Sequence, residues 1–450
     1  MESKLPAPDW SGKQINLEEG KHMTAYVITF VIMVGVFMAG CFALKLPVGV
    51  SMMIAALCGA IQGGLGLETL RMMVEGEFGY VDTILTIGCA MIFMKVIEDS
   101  GALDALSSLI IERFHKVPAV LLILIMLIIM FPGMITGSST AAVLSAGSIM
   151  APVLALMGID AVTAGSIIAM GALLGMIAPP VNTAALIICA GIDVPYVGFE
   201  GPLALLTFPL AILFVLLLGY KQARHLDYEK LKPALVEQDA VRKQYGFKIY
   251  IPLVVLVVLM VVFKVLKLGE DIGMPLMFML SAVSGLFTGK KINVLQAVPA
   301  AIRTAAPVMG ILMGVGMFIE VMTATGVRGL VVISCLRLPQ VLWLVACAVS
   351  IPLFGAVSSY GACSVLGVPF AYIYASLLGG NSVVVLAAIS LIAAVGDMMP
   401  PTALAGLFAA QITGVKPYTK ILKRCMVPIV ILLVYACFFL AKSKLIAGLF

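Results

Sequence analysis

Two short clusters of hydroxyl-bearing and small residues interrupt long apolar runs of the chain. The first is Gly137-Ser138-Ser139-Thr140, within the apolar stretch 118–157, and the second is Ser358-Ser359-Tyr360-Gly361, within 340–378. In hydrocarbon every backbone N–H and C=O must find a partner, so unwound backbone is tolerated only where it is buried in protein or lines a wet cavity. Each cluster therefore predicts the tip of a re-entrant hairpin. Its hydroxyl and carbonyl oxygens suit a small cation, and the N-terminus of its outgoing half-helix suits an anionic group.

Two alternatives stay open for these clusters. They could be Gly/Ser-rich loops between ordinary spans, or small residues that let helices pack closely. The apolar pieces beside the first cluster are only about 13–17 residues long, which is short for a full span. This length favours the hairpin.

Paired prolines interrupt two further apolar runs, at Pro179-Pro180 and at Pro400-Pro401. Adjacent prolines remove two N–H donors and clash with the preceding turn, so each helix must break there and free carbonyl groups upstream. Asn182 and Thr183 follow the first break, and Thr402 follows the second, where they can supply side-chain oxygens. The alternative is a kinked helix with a purely structural role.

Three charged residues fall inside predicted spans: Asp397, Glu320 and Lys95. Asp397 precedes the second proline pair by three residues, and a carboxylate in hydrocarbon is costly unless it is paired or ion-bound. It is therefore a candidate cation ligand or protonation site, the alternative being a polar cap buried against another helix. Glu320 lies near the end of its span, and Lys95 is best interpreted as extending to the cytoplasmic surface.

The chain repeats its own pattern at an offset of about 220 residues, since both the hydroxyl clusters and the proline pairs recur in the same order. This indicates a polar N-terminal segment (1–23), a first repeat (24–220), a linker (221–248) and a second repeat (249–450). Counting Lys and Arg places the basic linker in the cytoplasm. With five crossings and one hairpin per repeat, the second repeat is inverted and both termini lie outside. The predicted fold is all-α, with about ten transmembrane helices, two re-entrant hairpins and discontinuous helices.

The composition excludes several classes of function. Of the 450 residues 62% are hydrophobic and 11% charged, against about 25% charged in ordinary globular domains. A soluble enzyme and a nucleic-acid binder are therefore excluded, and the chain belongs in a lipid bilayer. An intramembrane enzyme is disfavoured because the three His lie in polar segments and the nine Cys are scattered singly.

The segment Thr136–Pro152, TGSSTAAVLSAGSIMAP, followed by Gly171–Pro180, GALLGMIAPP, resembles the large membrane subunit of tripartite ATP-independent periplasmic (TRAP) transporters. That family has a Ser-Gly-Ser-Ser tip and a Pro-Pro-Ser break. Here Thr136 replaces the first Ser, and Asn182 stands near the position of the last. In the second half, Asp397 and the VSSYGA tip depart from the expected family pattern.

The resemblance implies Na⁺-coupled uptake of a small organic acid by an elevator motion, in a bacterial inner membrane. It implies partners of two kinds, a small four-helix membrane subunit and a periplasmic binding protein. Carried over by motif, a first cation site uses Ser138, Ser139 and Thr140 with the break near Asn182 and Thr183. A second uses Ser358, Ser359 and Gly361 with the break from Asp397 to Thr402.

The substrate is expected between the two hairpin tips, held by half-helix N-termini and hydroxyl groups. Its candidate contacts are Ser139, Thr140, Asn182, Ser359, Tyr360 and Thr402. The alternatives left open are H⁺ coupling through Asp397, a carrier that works without a binding protein, and an ion channel. The sequence does not name the acid or the oligomeric state.

Overall fold

A computed structural model describes residues 12–223, 236–265, 273–337 and 339–450. This part of the chain is helical throughout, without strands. The helices, in chain order, are α1 Gly12–Phe42, α2 Val48–Gln62, α3 Glu68–Phe78, α4 Val81–Ser100, α5 Ala102–Phe114, α6 Pro118–Thr136, α7 Ser139–Leu156, α8 Ala161–Gly175, α9 Thr183–Gly191, α10 Glu200–Ala223, α11 Val236–Tyr245, α12 Ile251–Val265, α13 Met274–Gly285, α14 Val294–Ala324, α15 Val327–Leu336, α16 Gln340–Gly355, α17 Ser359–Leu377, α18 Ser382–Ala394, α19 Leu404–Thr413, α20 Thr419–Ala441 and α21 Ser443–Ala447.

Within the described residues, eight helices are long and apolar enough to cross a membrane, or nine if the bent pair α3–α4 counts as one span. Their apolar character and the all-helical architecture confirm the prediction of a polytopic helical membrane protein. The apolar part of α1 begins at Met23, close to the predicted end of the polar segment. Residues 1–11 of that segment and 224–235 of the predicted linker lie outside the described residues.

The arms of the first hairpin are longer than the 13–17 residues expected from the sequence. Helix α6 has 19 residues and α7 has 18. The helices gain length because α6 continues through Pro132, and because α7 continues through a π-helical turn at Val143–Gly147. By length alone each arm could span a bilayer. A re-entrant hairpin differs from two ordinary spans in that its tip is buried within the protein.

The helices pack into two groups. Helices α1–α5 pack with α11–α15, and this group is called the scaffold bundle. Helices α6–α10 pack with α16–α21, and this group is called the hairpin body because it holds both interrupted hairpins and both proline breaks. Each group therefore combines helices from both halves of the sequence, as expected when two repeats fold against each other.

The element order of the first half recurs in the second. The hairpin arms α6 and α7 correspond to α16 and α17, and the broken helix α8–α9 corresponds to α18–α19. The correspondence extends to details: a π-helical turn at Cys363–Gly367 in α17 matches the one at Val143–Gly147 in α7, 220 residues earlier. The corresponding helices α5 and α15 are each preceded by a glycine in the left-handed region, Gly101 and Gly326 respectively.

Candidate functional site

The first hairpin tip is an unwound pair of residues between α6 and α7. Gly137 ends α6 in the left-handed region, with φ of +63°, which glycine adopts without steric cost. Ser138 is extended and caps α7, because its hydroxyl oxygen accepts a hydrogen bond from the Ala141 N–H at 3.3 Å. The remaining N–H groups of the first turn of α7 are thus directed toward the space in front of the tip.

The second tip repeats this arrangement. Ser358 is extended and caps α17, accepting a hydrogen bond from the Gly361 N–H at 3.1 Å. Both tips are buried: Ser139 is 2% exposed and Ser359 5%. A loop joining two ordinary spans would lie at the surface, so burial favours the hairpin interpretation over the loop alternative.

The first proline break holds the first tip in place. Helix α8 ends at Gly175, and the unwound backbone that follows turns back, so that the Val181 N–H donates to the Met134 carbonyl of α6 at 3.1 Å. Gly133 of α6 packs against the backbone at Gly175, where an added Cβ would lie 2.8 Å from a carbonyl carbon. The incoming arm and the break are therefore in direct backbone contact.

The second break is built in the same way. A 3₁₀ turn at Val395–Met398 follows α18, and Gly396 in this turn packs directly on Gly355 at the end of α16. After the prolines, the Thr402 hydroxyl donates to the Ala356 carbonyl at 2.7 Å. The peptide bond between the two prolines is cis in both breaks.

The two tips meet through side chains that cross between the repeats. The Ser139 hydroxyl of the first tip donates to the Asp397 carboxylate of the second break, and the Ser359 hydroxyl lies near this carboxylate. In the opposite direction, the Tyr360 phenol donates to the Gly137 carbonyl at 2.7 Å. The sequence predicted that the first tip would work with the first break. The structure places the first break against the first tip and adds the contact between Ser139 and Asp397, which sequence motifs do not reveal because they do not specify tertiary neighbours.

A cavity of about 600 Å³ opens between the tips and the scaffold bundle. Eight of the predicted site residues line it: Ser138, Ser139, Thr140, Ser358, Ser359, Tyr360, Asp397 and Thr402. The opposite wall consists of scaffold residues, most of them from α4 and α14. The predicted substrate position between the two tips is therefore a real space, with hydroxyl groups on one side.

Three predicted site residues do not line this cavity: Asn182, Thr183 and Gly361. The side chain of Asn182 is fully buried and already committed, since its oxygen caps α9 at the Ala185 N–H (2.9 Å) and its amide donates to Ser390 (2.8 Å). Asn182 therefore lies away from the predicted substrate position, with both of its side-chain polar groups held by other residues. Thr183 is also fully buried, directly behind the first tip.

We expect replacement of Asn182 with Ala to lower stability rather than substrate affinity. The loss of a cap and of one buried hydrogen bond corresponds to about 2 kcal/mol of unfolding free energy. Thermal denaturation of the purified protein measures this loss. The matched control is Asn381→Ala, which removes only the cap hydrogen bond to Val384 (3.1 Å) and should cost about half as much. Equal losses in the two variants would contradict a structural role for the Asn182–Ser390 contact.

Sequence reasoning missed the charged wall of the cavity opposite the tips. Lys95 and Glu98 of α4 and Asp104 of α5 line it. Lys95, expected to extend to the membrane surface, instead lies on this wall and pairs with Asp99 at 2.8 Å. The Glu98 carboxylate lies near the Ser145 hydroxyl of α7, across the boundary between the scaffold bundle and the hairpin body. The available signal was the helical spacing of Lys95, Glu98 and Asp99.

Glu320 lies outside the cavity lining. It is on α14, where its Cβ packs beside Gly76 of α3 within the scaffold bundle, and it is partly exposed. Of the two intramembrane acids singled out from the sequence, only Asp397 is therefore placed between the tips.

Comparisons with known proteins agree with this architecture. The family model described as "Tripartite ATP-independent periplasmic transporter, DctM component" matches residues 34–443. No curated protein matches the chain. Solved structures that are similar in fold include Neisseria gonorrhoeae MtrF, described as illuminating a class of antimetabolite efflux pumps (TM-score 0.59, 13% identity, 84% of each chain covered). They also include the Alcanivorax borkumensis YdaH transporter (TM-score 0.58, 14% identity, covering 85% of this chain and 88% of that one).

Proposed function

This chain belongs to the DctM component family of tripartite ATP-independent periplasmic transporters, and on that premise we propose that it carries a small organic acid into the cell, driven by a Na⁺ gradient. Family membership confirms the recognition made from the tip and break motifs, and it makes the chain a secondary transporter of the large-permease type. The observation that carries the finer proposal is the single cavity into which both hairpin tips project, with Asp397 between them.

The tips suit one end of an anionic substrate. Helices α7 and α17 begin at the cavity, and the N-terminus of a helix carries a partial positive charge and free N–H groups. The hydroxyls of Ser138 and Ser358 add donors, because their oxygens accept the cap hydrogen bonds and their hydrogens are still available. A carboxylate placed there gains hydrogen bonds from both repeats at once.

The charge of Asp397 links substrate binding to a cation. A substrate carboxylate beside a buried, ionised Asp397 would be repelled, and this repulsion is strong where the dielectric constant is low. A positive charge at Asp397 removes the repulsion. This is a physical reason for obligatory coupling, since the acid binds well only after the cation has arrived.

The residues present fit a small, hard cation, which binds oxygen ligands. Near the second tip these are the Asp397 carboxylate with the Ser139 and Ser359 hydroxyls. Behind the first tip, the Thr183 hydroxyl is fully buried without a hydrogen-bond partner in the described structure, and it faces Gly137. A buried hydroxyl without a partner is costly, and a cation ligand role would offset that cost. Na⁺ bound at these oxygens would supply the neutralising charge.

A second candidate function is H⁺ coupling through Asp397. Asp397 is 6% exposed, and its carboxylate accepts a hydrogen bond from the Ser139 hydroxyl and lies near the Ser359 hydroxyl, without a basic partner among the described residues. Protonation would neutralise it as a cation does. The two candidates differ in the gradient that drives uptake.

The remaining parts of the proposal follow from the family and from the two helix groups. We propose that the hairpin body moves against the scaffold bundle as an elevator, in a bacterial inner membrane with both termini outside. Membership in the family implies a small membrane subunit and a binding protein as partners in general. Whether this chain requires them is part of the test.

Uptake into proteoliposomes tests the proposal. The purified chain is reconstituted alone and together with its small subunit and binding protein, and radiolabelled succinate, lactate and gluconate are offered under separately imposed Na⁺ and pH gradients. With a tenfold inward Na⁺ gradient, we expect accumulation of at least one acid to rise severalfold over equal Na⁺ on both sides, up to about tenfold per coupled ion, because one coupled ion can supply about 1.4 kcal/mol per tenfold gradient.

The other outcomes discriminate between the candidates. Accumulation driven only by the pH gradient supports H⁺ coupling. Conductance without accumulation indicates a channel. If neither gradient drives any acid, with or without the partner subunits, the proposal of a coupled carrier is wrong.

A further inference from the structure

Tyr360 joins the two hairpin tips directly. It occupies the position in the second tip that Thr140 holds in the first, and it is 8% exposed on the cavity wall. Its phenol donates to the Gly137 carbonyl of the first tip at 2.7 Å. The shorter Thr140 side chain makes no corresponding hydrogen bond to the second tip among the described contacts. The two tips are thus connected asymmetrically.

The residue whose carbonyl accepts, Gly137, packs against the unpartnered Thr183 hydroxyl. A Cβ built on Gly137 would lie 2.1 Å from Thr183 Oγ1, so the Gly137 backbone and the Thr183 side chain are in close contact. The Tyr360 phenol also lies near the Thr183 hydroxyl. A carbonyl oxygen has two lone pairs, so Gly137 can accept the phenol hydrogen and face a cation at the same time.

We propose that Tyr360 is a positioning residue that couples the cation site at Gly137 and Thr183 to the second hairpin tip. A cation at these oxygens fixes the Gly137 carbonyl, and the phenol transmits that fixed position to Ser358 and Ser359 at the cavity. A cation bound behind the first tip therefore holds the second tip in the position that binds substrate. This inference rests on the proposed Na⁺ coupling.

The expected size of the effect follows from a single hydrogen bond. Loss of one neutral hydrogen bond corresponds to a factor of about two to ten in an equilibrium constant. Coupling between two sites is reciprocal, so each tip should respond to occupancy at the other by the same factor. A merely structural tyrosine would change stability without changing this factor.

Hydrogen–deuterium exchange with mass spectrometry tests the coupling on the purified full chain, with Na⁺ alone as the probe. NaCl replaces choline chloride at constant ionic strength, and peptides covering residues 133–147 and 353–367 report on the two tips. In the wild type we expect both tips to become protected from exchange, with the same Na⁺ concentration at half-maximal protection (the Na⁺ midpoint). In Tyr360→Phe, which keeps the ring, we expect the two midpoints to separate by about threefold to tenfold.

Tyr374→Phe is the matched control. Tyr374 lies on the same helix, α17, is 7% exposed, and its phenol has no hydrogen-bond partner in the described structure. Removing that phenol oxygen should leave the shared midpoint unchanged. Thr183→Ala provides a second measurement: it should weaken the Na⁺ response of the second tip in the wild-type background but not in the Tyr360→Phe background.

The failures of the two proposals are distinguishable. If the wild type responds to Na⁺ and Tyr360→Phe keeps one shared midpoint, coupling through Tyr360 is wrong while Na⁺ coupling stands. The same conclusion follows if Thr183→Ala leaves the second tip unchanged in the wild-type background. If neither tip of the wild type responds to Na⁺, the proposed Na⁺ coupling fails, and the role of Tyr360 fails with it.

Discussion

Replacing Asp397 with Asn should lower Na⁺-driven uptake by about 10- to 100-fold at a Na⁺ concentration that half-saturates the wild type. The carboxylate is the acidic side chain shared by both tips, through Ser139 and Ser359. Asn preserves the shape of the side chain and one oxygen but removes the charge. A hydrogen bond to a charged group contributes about 1.5–3 kcal/mol, and a loss of that size corresponds to the expected fall in uptake. The initial rate of uptake as a function of Na⁺ concentration measures the effect.

The Na⁺ dependence of the Asp397→Asn variant also separates the two candidate ions. If Asp397 binds Na⁺, high Na⁺ should restore much of the rate, because Asn is a weaker ligand rather than none. If Asp397 carries a proton, high Na⁺ should restore nothing. The matched control is Glu320→Gln, an acid in a scaffold helix away from the cavity, where we expect less than a twofold change. Equal activity of Asp397→Asn and wild type at every Na⁺ concentration would contradict both roles.

Replacing Gly137 with Ala should abolish uptake while leaving most of the protein folded. The position has φ of +63°, and a Cβ would lie 2.1 Å from Thr183 Oγ1 and 3.0 Å from the Thr183 backbone nitrogen. The first tip must therefore move away from the first break, which displaces the Gly137 carbonyl. We expect uptake to fall at least about 30-fold, as overpacking by about 2 kcal/mol predicts.

Gly414→Ala separates the clash from the backbone strain. Gly414 also ends a helix of the hairpin body in the left-handed region, with φ of +70°, but an added Cβ there meets nothing within 4 Å. It should lose about 1 kcal/mol of stability, as expected for a non-glycine residue with positive φ, and keep near-normal uptake. If both variants lose uptake equally, the effect belongs to helix ends in general and not to the first tip.

The hairpins and breaks could be predicted from the sequence because each interrupts an apolar run with residues that hydrocarbon does not tolerate. Gly137-Ser138-Ser139 and Pro179-Pro180 are such interruptions, and their recurrence in the second half indicated the repeat. These signals are local, since they depend on residues adjacent in the chain. The caps at Ser138 and Ser358 are also local, because each serine accepts a hydrogen bond from a residue three positions later in the chain.

The contacts between repeats could not be predicted in this way. Ser139 and Asp397 are separated by 258 residues, and Tyr360 and Gly137 by 223. Assigning each tip to its own break is the simplest use of the repeat, but packing also joins Ser139 of the first tip to Asp397 of the second break. The charged wall of the cavity was missed for a related reason. The packing of α4 against its neighbours sets the rotation of this helix about its axis, and that rotation decides whether Lys95 and Glu98 face the cavity. Asn182 was assigned to the site because its buried partner, Ser390, is also distant in the chain.

We propose that two unwound tips form one substrate cavity at the depth of the bilayer. The most direct measurement is a cryo-electron microscopy map of the chain in lipid nanodiscs, with Na⁺ and with the acid that the uptake assay identifies. We expect two tips that end inside the bilayer, and density for the acid between Ser138-Ser139 and Ser358-Ser359. Continuous full-length helices through Gly137–Thr140 and Val357–Gly361, or acid density away from both tips, would contradict it.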